Sequence, residues 1–228
     1  MVFVNDKCIS KKSFKLNEND TVKVKEHKNY VGRGAYKLLA AIEIFNLDFK
    51  NLVVADFGAS TGGFSQVVLE AGAKKVFAID VGHEQIDISL LKNEKLINME
   101  GINIRHGVPL PEKVDFAVCD VSFISLELVI KEILSSLKDS GKAVILFKPQ
   151  FEVGKENLGK NAIVSKENGF IALSNFYKHC VKNKIYWHGW SLCPLKGRDG
   201  NQEYLIFIDL LLNDEQNDFY CLNQGEKL

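Results

Sequence analysis

A chain of 228 residues, 46% hydrophobic and 25% charged, can bury one good core and has the make-up of an ordinary soluble globular protein. Its 29 basic and 29 acidic side chains cancel, so a polyanionic partner must be held by a local patch and not by overall charge. The longest apolar runs, AVILF at 143–147 and YLIFIDLLL at 204–212, fall short of the ~20 residues of a membrane helix; with no signal peptide and five cysteines (Cys8, Cys119, Cys180, Cys193, Cys221) lacking CxxC spacing, a cytoplasmic protein with reduced thiols, no zinc and no disulfide is expected.

The first thirty residues hold seven lysines (Lys7, Lys11, Lys12, Lys15, Lys23, Lys25, Lys28) against four acids, which suits a nucleic-acid arm or, on composition alone, a solvated face. Next, GRGAYKLLAAIEIFNL (32–47) spaces Leu38, Leu39, Ile42 and Leu47 as an amphipathic helix. Strands then alternate with helices. The near-continuous apolar runs at 52–57, 75–81, 95–100, 114–121 and 142–148 are of the kind buried on both faces of a parallel sheet. Helical patterns over 63–72, 83–92 and 125–141 separate them, the last closing on Gly141. A helix over 165–183 precedes IYWHGWSLC (185–193) and QEYLIFIDLL (202–211), two strands joined by the polar loop PLKGRDGN. The expected fold is α/β: a Rossmann-like, seven-stranded, doubly wound sheet.

In such sheets ligands bind beyond the carboxyl ends of the strands, where the winding reverses. VADFGASTGGF (54–64) sits there; Gly58, Gly62 and Gly63 let the backbone turn tightly and approach a ligand, and the next helix offers free amide donors. Asp80 ends the second strand, 22 residues beyond Gly58, where a carboxylate can accept both ribose hydroxyls of an adenosine. A nicotinamide dinucleotide and S-adenosylmethionine share that need. Asp56 separates them: there is no GxG here, and an acid two residues before the first glycine opposes a pyrophosphate but suits the ammonium and sulfonium of S-adenosylmethionine.

The fourth strand ends in Cys119-Asp120-Val121-Ser122-Phe123, without the prolines usual in enzymes that methylate base amines. Period-2 alternation sends Cys119 away from Asp120, and nothing activates it, so it reads as a core thiol. Asp120 and Lys148 end neighbouring strands and so share a cleft. A lysine that stops an apolar strand directly before Pro149 is not explained by packing. A hydroxyl acceptor needs a base, and a lysine crowded by a second cation loses its proton more readily while a carboxylate orients it.

These residues resemble the TlyA or haemolysin A group of FtsJ-like rRNA 2′-O-methyltransferases over about residues 30–209, through RGAYKL (33–38), DFGASTGGF (56–64), DVGHEQ (80–85), DVSFISL (120–126), KPQFEVG (148–154) and KGRDGNQEY (196–204). The resemblance implies a class I S-adenosylmethionine-dependent methyltransferase with a Lys-Asp-Lys-Glu tetrad on Lys37, Asp120, Lys148 and Glu203. It also implies cofactor contacts from Asp56, Gly58, Ala59, Ser60, Thr61, Gly62, Gly63, Phe64, Asp80 and Asp120, and ribosomal RNA, typically a cytidine ribose, as acceptor. Arg33, Lys196 and Arg198 flank tetrad members and could meet phosphates or simply be solvated. Where the family usually reads Ser-Arg-Gly-Gly, this chain has Gly32-Arg33-Gly34-Ala35. Residues 1–28 resemble only the tail of the family's N-terminal RNA-binding module, so either the chain is truncated or RNA is held differently; 29–212 is the methyltransferase domain and 213–228 a polar tail. The competing expectation is an RNA-binding protein that keeps the cofactor site with little turnover. A lytic activity finds no cationic amphipathic helix to support it.

Overall fold

The computed structural model describes residues 2–5, 7–9, 17, 20–24 and 29–211. The chain divides into two units, Met1–Tyr30 and Val31–Leu228. In the first, strands β1 (Val2–Val4), β2 (Lys7–Ile9) and β3 (Val22–Val24) form an antiparallel sheet in the order β2-β1-β3. Asn5 and Asp20 fasten it: Asn5 Nδ2 donates to Asp20 at 2.8 Å, and the Thr21 amide donates to Asn5 Oδ1 at 3.0 Å. The side chains of the seven lysines, Cys8, Cys221 and the tail 213–228 lie outside the described residues.

The second unit opens with α1 (Gly34–Phe45), which buries Ala35, Leu38, Ala41 and Phe45 along one face and, less usually, Lys37. Strands β4 (Val53–Phe57), β5 (Lys75–Ile79), β6 (Leu96–Met99), β7 (Val114–Cys119) and β8 (Leu137–Phe147) run parallel, and β9 (Trp187–Leu192) and β10 (Tyr204–Asp209) close the sheet as an antiparallel hairpin. The order is β6-β5-β4-β7-β8-β10-β9, so the seven expected strands form one mixed sheet. The chain winds outward from β4 to β6 and returns to β7, which places the reversal between β4 and β7. Helices α2 (Gly63–Glu70), α3 (Ile88–Leu91), α4 (Ile130–Ser135) and α5 (Lys166–Lys182) fill the connections. The central strands are buried along their length, as apolar runs covered on both faces must be.

Two expected helices differ. The one over 83–92 shrinks to α3, which starts only where the Asp87 side chain accepts the Ser89 amide. The one over 125–141 is a 3-10 turn (Leu126–Leu128) and the short α4, because the sheet captures its end: the Ser136 carbonyl accepts the Val114 amide at 3.0 Å and Leu137 joins the ladder opposite Val114. The register then jumps from Val114–Leu137 to Phe116–Lys142, leaving 138–140 exposed, so Gly141 lies within a strand rather than closing a helix. Among the described residues no helix is long and apolar enough to cross a membrane.

Candidate active site

Four strand ends build the site. Beyond β4, the Gly58 and Ala59 amides both donate to the Ile79 carbonyl at the end of β5 (2.9 and 3.0 Å), and the Asp120 amide beyond β7 donates to the Phe57 carbonyl at 2.9 Å. The loops are thus fixed to each other at the winding reversal. Gly58 is required there twice: its φ is +82°, and an added Cβ would lie 2.8 Å from the Asp120 carbonyl oxygen. Gly63, at the start of α2, lets α1 approach so closely that a Cβ would sit 3.1 Å from the Ala35 amide nitrogen. The departure Gly32 packs beneath Thr61, whose Oγ1 would lie 2.6 Å from a Cβ at that position.

Asp80 is held open to the cleft by two backbone donors, the Ser60 and Gly82 amides, each at 2.8 Å. Both bonds favour a fixed carboxylate with lone pairs left for a ligand. Asp56 sits elsewhere. It is fully buried, its Oδ2 accepts the Ser65 hydroxyl at 2.7 Å, its Oδ1 has no hydrogen-bond partner, and it is not among the residues lining the cleft. Burial pushes its carboxyl up to about 7, the Ser65 hydrogen bond opposes this, and the charges of Asp120 and Asp80 add to it. Asp56 therefore braces the loop against α2 from behind instead of facing a ligand directly.

The four charged residues of the implied tetrad line one cleft of about 770 Å³, together with Gly58, Ser60, Asp80 and Phe123. They are arranged as two ion pairs. Lys37 Nζ, from α1, lies 2.6 Å from Glu203 Oε2 just before β10, with the residues only 8% and 2% exposed. Lys148 Nζ, one residue beyond β8, lies 2.6 Å from Asp120 Oδ1 and donates to Ser122 Oγ at 2.7 Å. Gly197 makes room for Glu203, since a Cβ there would lie 2.7 Å from its Oε1. Desolvating two pairs costs more than a surface pair returns, so their placement is not explained by stability.

Of the remaining expected site residues, Ala59, Ser60, Thr61, Gly63 and Phe64 line an adjoining cavity of about 370 Å³ that shares Gly58, Asp120 and Lys148, while Gly62, at φ +92°, packs against Leu90 and Ile86. Arg33 and Arg198 are exposed at the rim; Arg33 donates to the Lys196 carbonyl at 3.2 Å, and the Lys196 side chain is exposed but lines neither cavity. Cys119 is buried in the core, and burial pushes its thiol up to about 12.

Three features were not singled out from sequence. Ser122 ties the β7 loop to Lys148. Phe123 is 91% exposed at the cleft with φ +64°, its ring 5.0 Å from that of Phe151. Glu152 accepts the Ser125 hydroxyl (2.7 Å) and the Leu126 amide (2.9 Å), joining the same two loops. All lie inside motifs that were read for Asp120 and Lys148, and no periodicity or spacing in the sequence marked them out.

The family profile described as FtsJ-like methyltransferase matches residues 30–210. The chain is 34% identical to Hemolysin A of Brachyspira hyodysenteriae, covering 90% of this chain and 87% of that protein. It is 35% identical to the 16S/23S rRNA (cytidine-2′-O)-methyltransferase TlyA of Mycobacterium tuberculosis, covering 82% and 71%. A solved Lactococcus lactis structure described as a hemolysin superposes with a TM-score of 0.78 at 32% identity, covering 87% of this chain and 94% of that one.

Proposed function

The chain belongs to the FtsJ-like methyltransferase family, and from that premise we propose that it is an S-adenosylmethionine-dependent enzyme that methylates the 2′-hydroxyl of a cytidine ribose in ribosomal RNA. The observation that carries this reading is the convergence of Lys37, Asp120, Lys148 and Glu203, as two ion pairs, on a cleft that also holds Gly58, Ser60 and Asp80. The cleft suits the cofactor: Gly58 leaves an approach that a Cβ would fill, Asp80 presents a fixed carboxylate, and Val81, Ile102 and Val121 supply apolar surface for a ring. Bound S-adenosylmethionine supplies an electrophilic methyl group and leaves as a neutral thioether.

A ribose hydroxyl is a weak nucleophile near neutral pH, so the chain must orient it and take its proton. In its amine form Lys148 does this. Nζ is placed to take the hydroxyl proton as the oxygen is methylated, the methyl group being what bound S-adenosylmethionine would supply. Asp120 holds Lys148 in reach, and Lys37, anchored by Glu203, steadies the acceptor oxygen with its ammonium. The exposed ring of Phe123 offers the acceptor base a stacking face.

Ribosomal subunits in the cytoplasm are the proposed partners, with Arg33, Arg198, Lys196 and the basic head, read as a partial RNA-binding module, meeting phosphates. The test is transfer of labelled methyl from S-adenosylmethionine to unmodified ribosomal subunits, with the product mapped as ribose methylation. Label on a base, or binding of both ligands without transfer, overturns the reading; the second outcome supports an RNA-binding protein.

A further inference from the structure

We propose that Ser122 is a positioning residue of the transfer step, supplying the directed hydrogen bond that aims the Lys148 amine at the acceptor hydroxyl. The inference rests on the reading of the cleft as a methyl-transfer site. Lysine carries its nitrogen on a flexible four-carbon stem, and one ion contact leaves that nitrogen free to pivot. Here Nζ has two: Asp120 Oδ1 at 2.6 Å and Ser122 Oγ at 2.7 Å, from opposite ends of a three-residue stretch. The ion contact with Asp120 fixes where the nitrogen sits, and the one directed hydrogen bond, to Ser122, fixes how it is turned, since Asp120 Oδ1 takes no hydrogen bond.

The serine itself is held. The next residue, Phe123, turns the chain at φ +64° and packs on Phe151, while Glu152 draws Ser125 and Leu126 against the loop that carries Lys148. A left-handed φ at a bulky residue is strained and persists only where the surroundings enforce it. The contacts flanking Ser122 do so, and they keep its oxygen within reach of Lys148. Ser122 is exposed and lines both cavities alongside Lys148, whose side chain is only 9% exposed, so the hydroxyl stands beside the amine at the cleft. Because its oxygen accepts from Lys148, its own hydrogen is free to donate to an oxygen of the incoming ribose.

The experiment compares the parent chain with Ser122→Ala and Ser122→Thr in methyl transfer to unmodified ribosomal subunits, alongside equilibrium binding of S-adenosylmethionine. A mis-aimed base loses rate and not affinity, so Ser122→Ala is expected to lower kcat about tenfold, with KM for the subunits and cofactor affinity within about twofold. Ser122→Thr keeps the hydroxyl and is expected to restore kcat to within about threefold of the parent. The inference is overturned if Ser122→Ala turns over like the parent, if its loss appears in KM or cofactor affinity instead of kcat, or if threonine is as poor as alanine. A parent that transfers no methyl overturns the proposed function, and this inference with it; an active parent matched by Ser122→Ala overturns this inference alone.

Discussion

The two ends of the same sheet are built on opposite terms. At the amino ends of the parallel strands, charges form pairs open to water: Lys75 with Glu112 at 2.6 Å, Lys138 with Asp115 at 2.6 Å and Lys142 with Asp209 at 3.0 Å, each lysine at least 35% exposed. Behind them Phe45, Phe116 and Phe207 pack ring on ring, with centroids 5.4 and 6.4 Å apart. At the carboxyl ends the paired Lys37, Glu203 and Lys148 are buried and the aromatic Phe123 is exposed. Exposed pairs contribute about 0 to 1 kcal/mol, whereas a buried pair must overcome several kcal/mol of desolvation per ion. One end therefore follows the ordinary rules of stability, and the other departs from them where an acceptor hydroxyl has to be oriented and deprotonated.

The contrast breaks most sharply at Lys148. Lys148→Ala is expected to reduce methyl transfer by at least about 10³-fold while cofactor affinity stays within about threefold, since the amine acts on the acceptor. Binding measured beside single-turnover transfer checks it, and near-parent turnover would refute the assigned base.

Asp56 gives a second, pH-dependent contrast. Its carboxyl, ordinarily at 3.8, is raised to about 7 by burial. Below 3.8 both folded and unfolded chains hold the proton; between 3.8 and about 7 only the folded chain does, so this residue's contribution to stability falls as pH rises through that window. The loss is on the order of 4 kcal/mol. Urea unfolding from pH 4 to pH 8 should show a flatter profile in Asp56→Asn than in the parent; parallel profiles would mean that Asp56 is ionised throughout.

Gly58→Ala combines a left-handed φ with a Cβ 2.8 Å from the Asp120 carbonyl oxygen. A stability loss of about 2 kcal/mol and cofactor affinity at least about tenfold weaker are expected, read by thermal unfolding with and without S-adenosylmethionine. The smallest effect belongs to the amino end: Lys75→Ala, which breaks a partly exposed pair, should change stability by less than about 0.5 kcal/mol and leave methyl transfer as it was. A catalytic loss there would erase the distinction between the two ends.

The sequence by itself determined the strands and the places where they stop. Apolar runs buried on both faces need no tertiary information to be recognised, and the groups that end them, Asp80, Asp120 and Lys148, announce themselves because charge interrupts an apolar pattern. The glycine loop was legible for a similar reason, since a strand passing through Gly58 into a helix demands a backbone that side chains obstruct. Only the tertiary structure decided the rest. Lys37 and Glu203 stand 166 residues apart, and nothing local pairs them. The α4 segment kept its helical pattern past Ser135, yet the Val114 amide needed the Ser136 carbonyl and the sheet won. Asp56 read as a ligand-facing acid, but it is fully buried and its carboxylate accepts the hydroxyl of Ser65 on α2. Ser122 gave no sign at all, because a hydroxyl in a polar loop has no periodicity and takes its role from the amine that folding brings to 2.7 Å. Periodicity records what each segment buries; which distant polar atoms satisfy one another depends on loop closure and sheet register, and those are settled only when the whole core forms.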